Sequence, residues 1–215
     1  MSKALKTIAT LVLMYMIPLL GNTGLLTDAR LIFLMIAGFV MFQSQPELKM
    51  SEANEKKTTD RNSMFIILCA GIISQWCALI EWGYFRFHPE IIHNEVMVGI
   101  GVVMVVGGMA WRLWAIRTLA GFFTSTVQIK TGHRVIRHGP YRMVRHPSYL
   151  GSLVAITGST FVLEAPIASL VALCSMLCAY WFRVGVEEAA LASQLGREYR
   201  EFQEIRKYKI IPFVW

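Results

Sequence analysis

Residues 147–182 read PSYLGSLVAITGSTFVLEAPIASLVALCSMLCAYWF, and Glu164 is the one charged residue among them. The stretch divides at Glu164-Ala165-Pro166, an acidic turn followed by a proline suited to the first position of a new helix. The two uncharged runs, 147–163 and 165–182, are expected to form the arms of a helical hairpin. Each approaches membrane length, because a helix needs about 20 residues, with about 17 as the lower limit, to cross a hydrocarbon core of about 30 Å. Gly151, Ser152, Ala155, Gly158 and Ser159 recur on one side of the first arm, where small residues let helix backbones approach closely.

Four further runs lack Asp, Glu, Lys and Arg: 7–27, 31–46, 62–80 and 96–111. The first and third reach spanning length outright. The second and fourth reach it if Arg30, Arg112 and Arg117 snorkel to the headgroups and Trp111 and Trp114 join an interfacial belt. Residues 1–21 are expected to stay as the first span, since no A-x-A-like cleavage site follows the run. The expected fold is all-α, a multi-pass transmembrane helix bundle in a single membrane domain, 1–215. Residues 1–116 supply four spans, and 117–215 add the hairpin 147–182 and a C-terminal helix.

Composition agrees with that architecture. Apolar residues make up 55% of the chain and charged residues only 16%, against about a quarter in soluble domains. The formal charge is +7. With the N-terminus inside, one side of the membrane receives all Lys and Arg residues except Arg30, Arg86 and Arg112, a bias that marks cytoplasmic loops. Both termini are therefore expected in the cytoplasm, in the inner membrane of a bacterium or the endoplasmic reticulum of a eukaryote. Orientation accounts for the basic excess, so no nucleic-acid partner is expected. Cys69, Cys77, Cys174 and Cys178 lie in apolar runs without a C-x-x-C pair and read as small hydrophobes.

Chemistry is left to two polar segments, 117–146 and 183–215. The first ends in HRVIRHGPYRMVRHPSYLG, residues 133–151. By composition alone this is an interfacial connector, its bases drawn to anionic lipid. Its order says more: Gly139-Pro140-Tyr141 and His146-Pro147 are two rigid breaks that hold Tyr141, His146 and Tyr149 together at the mouth of a bundle. His133, His138 and His146 lack helical spacing and a carboxylate or thiolate companion, so no metal site is expected. The second segment opens with RVGVEEAAL, residues 183–191. Arg183 and Glu187 share a helix face, where a simple i,i+4 ion pair contributes only about 0.3–0.5 kcal/mol. Ionisable groups at the end of a span carry a desolvation cost that favours a functional role. Leu191, Leu195, Tyr199, Phe202 and Ile205 continue at helical intervals and predict one amphipathic helix.

Gly139-Pro140-Tyr141-x-x-x-Arg145-His146-Pro147-Ser148-Tyr149-x-Gly151 closely resembles the signature of the isoprenylcysteine carboxyl methyltransferase family. So do Arg183-x-x-x-Glu187-Glu188-x-x-Leu191, Leu195-Gly196-Arg197-Glu198-Tyr199 and the terminal Ile211-Pro212-Phe213. The resemblance runs from about Thr126 to the C-terminus. It implies a cytoplasmic pocket for S-adenosyl-L-methionine lined by His133, Arg134, Val135, Ile136, Tyr141, His146, Pro147, Ser148, Tyr149 and Glu187. Gln128 matches a further family position after allowing two fewer residues before His133. Arg183 matches the family arginine that meets the substrate carboxylate, which makes Arg183 and Glu187 the expected catalytic pair. The implied partners are membrane lipid and a lipophilic or prenylated acceptor, with prenylcysteine carboxyl methylation first. A phospholipid or other lipophilic N- or S-methyltransferase comes next, then an NADPH-dependent sterol-type reductase sharing Arg-His-Pro-x-Tyr, then a non-enzymatic bundle. The Glu187-Glu188 pair followed by Leu191 fits the methyltransferase better than the reductase.

The charge bias makes a direct prediction about orientation. Reporters fused after Lys57, after Lys130 and at Trp215 should all read as cytoplasmic, and one after His88 as the opposite side; a cytoplasmic His88 would overturn the topology.

Overall fold

The computed structural model describes residues 2–45, 62–85, 95–123 and 135–215. Their helices are α1 (Lys3–Met16), α2 (Ala29–Gln43), α3 (Ser63–Tyr84), α4 (Glu95–Leu119), α5 (Pro147–Val162), α6 (Pro166–Leu195) and α7 (Arg197–Ile205). Short 3₁₀ turns occupy Ile17–Leu19, Thr23–Thr27, Ala120–Phe122 and Gly139–Arg142.

Three helices, α3, α4 and α6, are long and apolar enough to cross a membrane. The first two expected spans are shorter. Pro18 cannot donate to a helical ladder, and the chain tightens into 3₁₀ geometry after only 14 residues of α1. The 15-residue α2 starts at Asp28, whose carboxylate accepts from the Arg30 amide (2.8 Å). Lys3 Nζ donates to the carbonyls of Gln43 (2.7 Å) and Gln45 (2.6 Å), tying the start of α1 to the end of α2. The two therefore form a short antiparallel pair.

The expected hairpin is present as α5 and α6, with Pro147 and Pro166 in the first turn of each. Its second arm runs past Phe182 to Leu195, 30 residues or about 45 Å, because no breaker interrupts it before Gly196. Gly196 adopts φ +57°, a conformation cheap only for glycine, and starts α7 in a new direction. The single amphipathic helix expected over 191–205 is therefore two helices. Tyr199 and Phe202 are buried, whereas Ile205 is exposed.

The tightest seam joins α4 to α5. A Cβ on Gly108 would lie 2.6 Å from the Gly151 carbonyl oxygen, and one on Gly151 would lie 2.6 Å from that of Gly108. Gly101 and Gly158 make a second such crossing two turns away, where a Gly101 Cβ would meet Val162 N at 2.6 Å. The small face expected on α5 is thus matched by glycines on α4. In the bundle's polar interior, Gln75 Nε2 donates to Ser159 Oγ (2.7 Å), joining α3 to α5, and Ser74 and Ser175 pair α3 with α6 (3.1 Å). Glu81 accepts from the amides of Ile167 (3.1 Å) and Ala168 (2.7 Å), which satisfies the exposed N–H groups at the start of α6.

Two of the arginines expected to snorkel have protein partners. Arg30 Nη1 donates to Glu164 Oε2 (2.6 Å) at the hairpin turn. Arg112 is buried and donates from Nη1 to the Ser148 carbonyl (2.9 Å), because the glycine seam leaves its side chain beside the first turn of α5.

Gly151→Ala should lower stability by about 1–3 kcal/mol, since a methyl must push two backbones apart. Gly107→Ala, which meets nothing within 4 Å, should leave the thermal midpoint in detergent unchanged. Equal midpoints for the two variants would mean that the seam does not hold the bundle.

Candidate active site

The chain reaches the site through Gly139, whose φ of +59° starts the 3₁₀ turn Gly139–Arg142 and sets Tyr141 into a small core with Ala115 and Ile136. Burial pushes the Tyr141 hydroxyl well above its ordinary value, and Glu187 adds to the effect while Arg112 opposes it. Tyr141 therefore stays a neutral donor.

His146-Pro147 then turns the chain into α5, and the first turn of that helix faces the outer half of α6. Tyr149 is the junction. Its hydroxyl donates to Glu187 Oε2 (2.6 Å) and accepts from Arg183 Nε (3.1 Å). Arg183 Nη1 continues to Ser63 Oγ (2.7 Å) at the head of α3. Arg183 is only 3% exposed, while the Glu187 side chain is 29% exposed, so a buried cation and an accessible carboxylate share one phenol between them. The Tyr149 ring stacks on His146 (centroids 5.7 Å apart, 18° between planes) and on Tyr180 (4.8 Å, 23°).

Glu188, one residue further along α6, gathers three basic side chains. Arg145 Nε donates to its Oε1 (2.7 Å), His146 Nε2 lies 3.2 Å from the same oxygen, and Lys209 Nζ lies 3.4 Å from Oε2. With Nε2 directed at Glu188, the other ring nitrogen of His146 lies 3.9 Å from Glu187 Oε1. The C-terminal segment closes over this cluster: the amides of Arg145 and His146 donate to the carbonyls of Tyr208 (3.0 Å) and Lys209 (2.8 Å). The Arg145 guanidinium also reaches the carbonyls of Arg206 (2.8 Å) and Gln203 (3.3 Å). Tyr199 of α7 is buried beside them. Its hydroxyl has no partner among the described residues, and burial, then Glu188 and Glu187, keep it protonated.

Of the residues expected to form the site, Tyr141, His146, Pro147, Ser148, Tyr149, Arg183 and Glu187 converge on this end of the bundle. Ile136 packs with Tyr141, and the Val135 amide donates to Glu198 Oε1 (3.2 Å) on α7. Gln128, His133 and Arg134 lie outside the described residues. Several contributors had been given no role. Arg145 and Glu188 stand inside the two motifs, and their opposite charges were the available signal. Lys209 and Ser63 had no signal beyond being polar. Arg112 had one, as a charge within an otherwise apolar helix.

A family model for isoprenylcysteine carboxyl methyltransferases matches residues 99–193, which hold α4, the Tyr141 turn, the hairpin and the Arg183–Glu188 motif. Over those residues the chain is similar to the isoprenylcysteine carboxyl methyltransferase family. A probable protein-S-isoprenylcysteine O-methyltransferase of Oryza sativa subsp. indica is 30% identical over 128 residues, 59% of this chain and 66% of that protein. The protein-S-isoprenylcysteine O-methyltransferase of Mus musculus is 29% identical over 143 residues, 64% of this chain and 50% of that protein. The chain thus spans just under two thirds of the rice relative and half of the mouse one. The solved structure of a eukaryotic intramembrane Ras methyltransferase of this family superposes with a TM-score of 0.64 at 22% identity, over 96% of this chain and 75% of the other. It is a match of fold, a bundle of helices arranged as in this chain.

Because Arg145 and Glu188 side chains are 7% and 10% exposed, Glu188→Ala leaves a buried guanidinium unpaired and should lower unfolding stability by about 3–5 kcal/mol. Arg197→Ala removes an i,i+4 pair with Glu201 whose arginine is 93% exposed, and should change nothing measurable. A Glu188→Ala protein as stable as the parent would show that the cluster does not fasten the C-terminal segment.

Proposed function

We propose that the protein is a methyltransferase that uses S-adenosyl-L-methionine to methylate the carboxylate of a membrane-embedded, prenylcysteine-like acceptor. The observation that carries this reading is the chain Ser63–Arg183–Tyr149–Glu187, a buried guanidinium and an accessible carboxylate joined by one hydroxyl where the apolar bundle ends. The family match over residues 99–193 supports it. The catalytic region would then lie in 117–215, with 1–116 packed around it, and the site would face the cytoplasm from the bacterial inner membrane or the endoplasmic reticulum.

The donor set fits the cofactor. Glu187 is exposed enough to accept from ribose hydroxyls, and the stacked rings of His146 and Tyr149 offer faces to an adenine or a cation. Val135, Ile136, Tyr141, Pro147 and Ser148 would complete its walls, with Gln128, His133 and Arg134 entering from the segment before them. When bound, the cofactor supplies a methyl group already activated by a sulfonium.

The acceptor carboxylate is itself a nucleophile, so the protein has no proton to remove, and its work is placement. Arg183, with its plane fixed by Ser63 and Tyr149, would orient the carboxylate through its planar fork. Holding two reactants in line can lower a barrier by about 7–11 kcal/mol. Water must be kept away while opposite charges cancel, and the rings of Tyr149 and Tyr180 do so on the bundle side.

Calorimetry on the purified protein should show binding of S-adenosylhomocysteine and none of NADPH, with His146→Ala, Tyr149→Ala and Glu187→Gln each weakening the former. Arg183→Lys keeps the charge but loses the fork, so turnover of a farnesylated cysteine should fall at least tenfold while cofactor binding persists. Methylation of phosphatidylethanolamine alone, indifferent to Arg183→Lys, would replace carboxyl transfer by amine transfer. NADPH binding without S-adenosylhomocysteine binding would replace the methyltransferase by a reductase.

A further inference from the structure

Arg112 is a buried cation whose charge the described residues leave unanswered. It sits on α4 beside the first turn of α5 and is 8% exposed. Arg30 and Arg145 each hold a carboxylate, at Glu164 and Glu188. Arg112 holds none: Nη1 reaches the Ser148 carbonyl (2.9 Å), Nε is buried without an acceptor, and the guanidinium carbon lies 5.9 Å from the Phe123 ring centre. A desolvated guanidinium with one neutral hydrogen bond and a distant ring face, and no carboxylate among the described residues, is expensive to keep. The glycine seam holds it there all the same, since Gly151 packs against the Arg112 backbone, with a Cβ predicted 2.7 Å from Arg112 N.

Its location gives the charge a use. Arg112 is bonded to Ser148, which precedes Tyr149, the residue joining Arg183 to Glu187, so its guanidinium stands one residue from the junction of the site. A structural link between α4 and α5 needs only the Nη1 contact. It explains neither a full positive charge nor the orphaned Nε.

We propose that Arg112 is a second carboxylate-binding residue of the site, distinct from Arg183, which receives a ligand carboxylate on the donors that the protein leaves unused. The proposal rests on the methyltransferase reading, in which two ligand carboxylates are present: that of the acceptor and that of the cofactor's methionyl end. Planar guanidinium donors suit either one.

Two matched ligand pairs separate the sources. S-adenosylhomocysteine is compared with its methyl ester, and N-acetyl-S-farnesylcysteine with its amide, by calorimetry on the full-length protein and on Arg112→Lys and Arg112→Gln. The expected result is that the parent prefers the acid of one pair, and that the preference falls about tenfold to a hundredfold in Arg112→Gln, and less in Arg112→Lys, while the masked ligand binds as before. Loss confined to the S-adenosylhomocysteine pair assigns Arg112 to the cofactor; loss confined to the farnesylcysteine pair assigns it to the acceptor. If Arg112→Gln does not fold, the ratio is read in Arg112→Lys, which keeps a donor for Ser148. An equal loss for acid and masked ligand, or no loss, overturns the proposal and leaves Arg112 as a helix link. A parent protein that binds neither pair overturns the methyltransferase reading as well, and is told apart by needing no variant.

Discussion

The contact on which the site depends is the backbone seam between α4 and α5. Lipid tails are as apolar as leucine, so helices in a membrane gain little by hiding hydrophobic side chains from one another, and close packing must supply the attraction. Gly101 and Gly108 on one helix and Gly151 and Gly158 on the other remove the side chains that would keep the axes apart. With backbones this close, neither helix can slide or rotate without a clash, so the start of α5 is held in register with the end of α4. Ser148 is thereby placed against Arg112, and Tyr149 is turned toward α6.

Electrostatics fixes what the seam leaves open. Glu188 collects Arg145, His146 and Lys209, three groups from two segments far apart in sequence. The Arg145 guanidinium would be costly to bury alone, and the Glu188 carboxylate would be costly without its partners. Together they hold the strand-like pairing of residues 145–146 with 208–209 and so keep the imidazole of His146 beside Glu187. The adjacent acids of the Glu187-Glu188 pair thus differ in environment: Glu188 is enclosed and saturated, Glu187 is partly open and has an oxygen to spare.

The membrane bundle and the hairpin were legible because charge-free runs and the Glu164-Ala165-Pro166 turn are local features. The convergence of Tyr149, Arg183 and Glu187 was legible only through the family signature, since helical spacing relates Arg183 to Glu187 but says nothing of a tyrosine on another helix. The rest depended on tertiary contacts. Run length alone marked 7–27 as a span, while Pro18 cuts the α-helix short. Hydropathy sent Arg112 to the headgroups, because a sequence does not reveal that the Ser148 carbonyl stands close enough to hold it. Gly196 was visible in the sequence, but the periodic apolar residues on either side of it masked the break.

The pairing of residues 145–146 with 208–209 has a consequence for how the protein is made. A ribosome that has just delivered α5 and α6 to the bilayer has supplied the hairpin, yet the partners of the Arg145 and His146 amides are still unsynthesised. Insertion of the helices and assembly of the pocket are therefore separate events in time. A nascent chain that has placed α5 and α6 still lacks these partners, and the site closes only once residues 208–209 have been made and have folded back against 145–146.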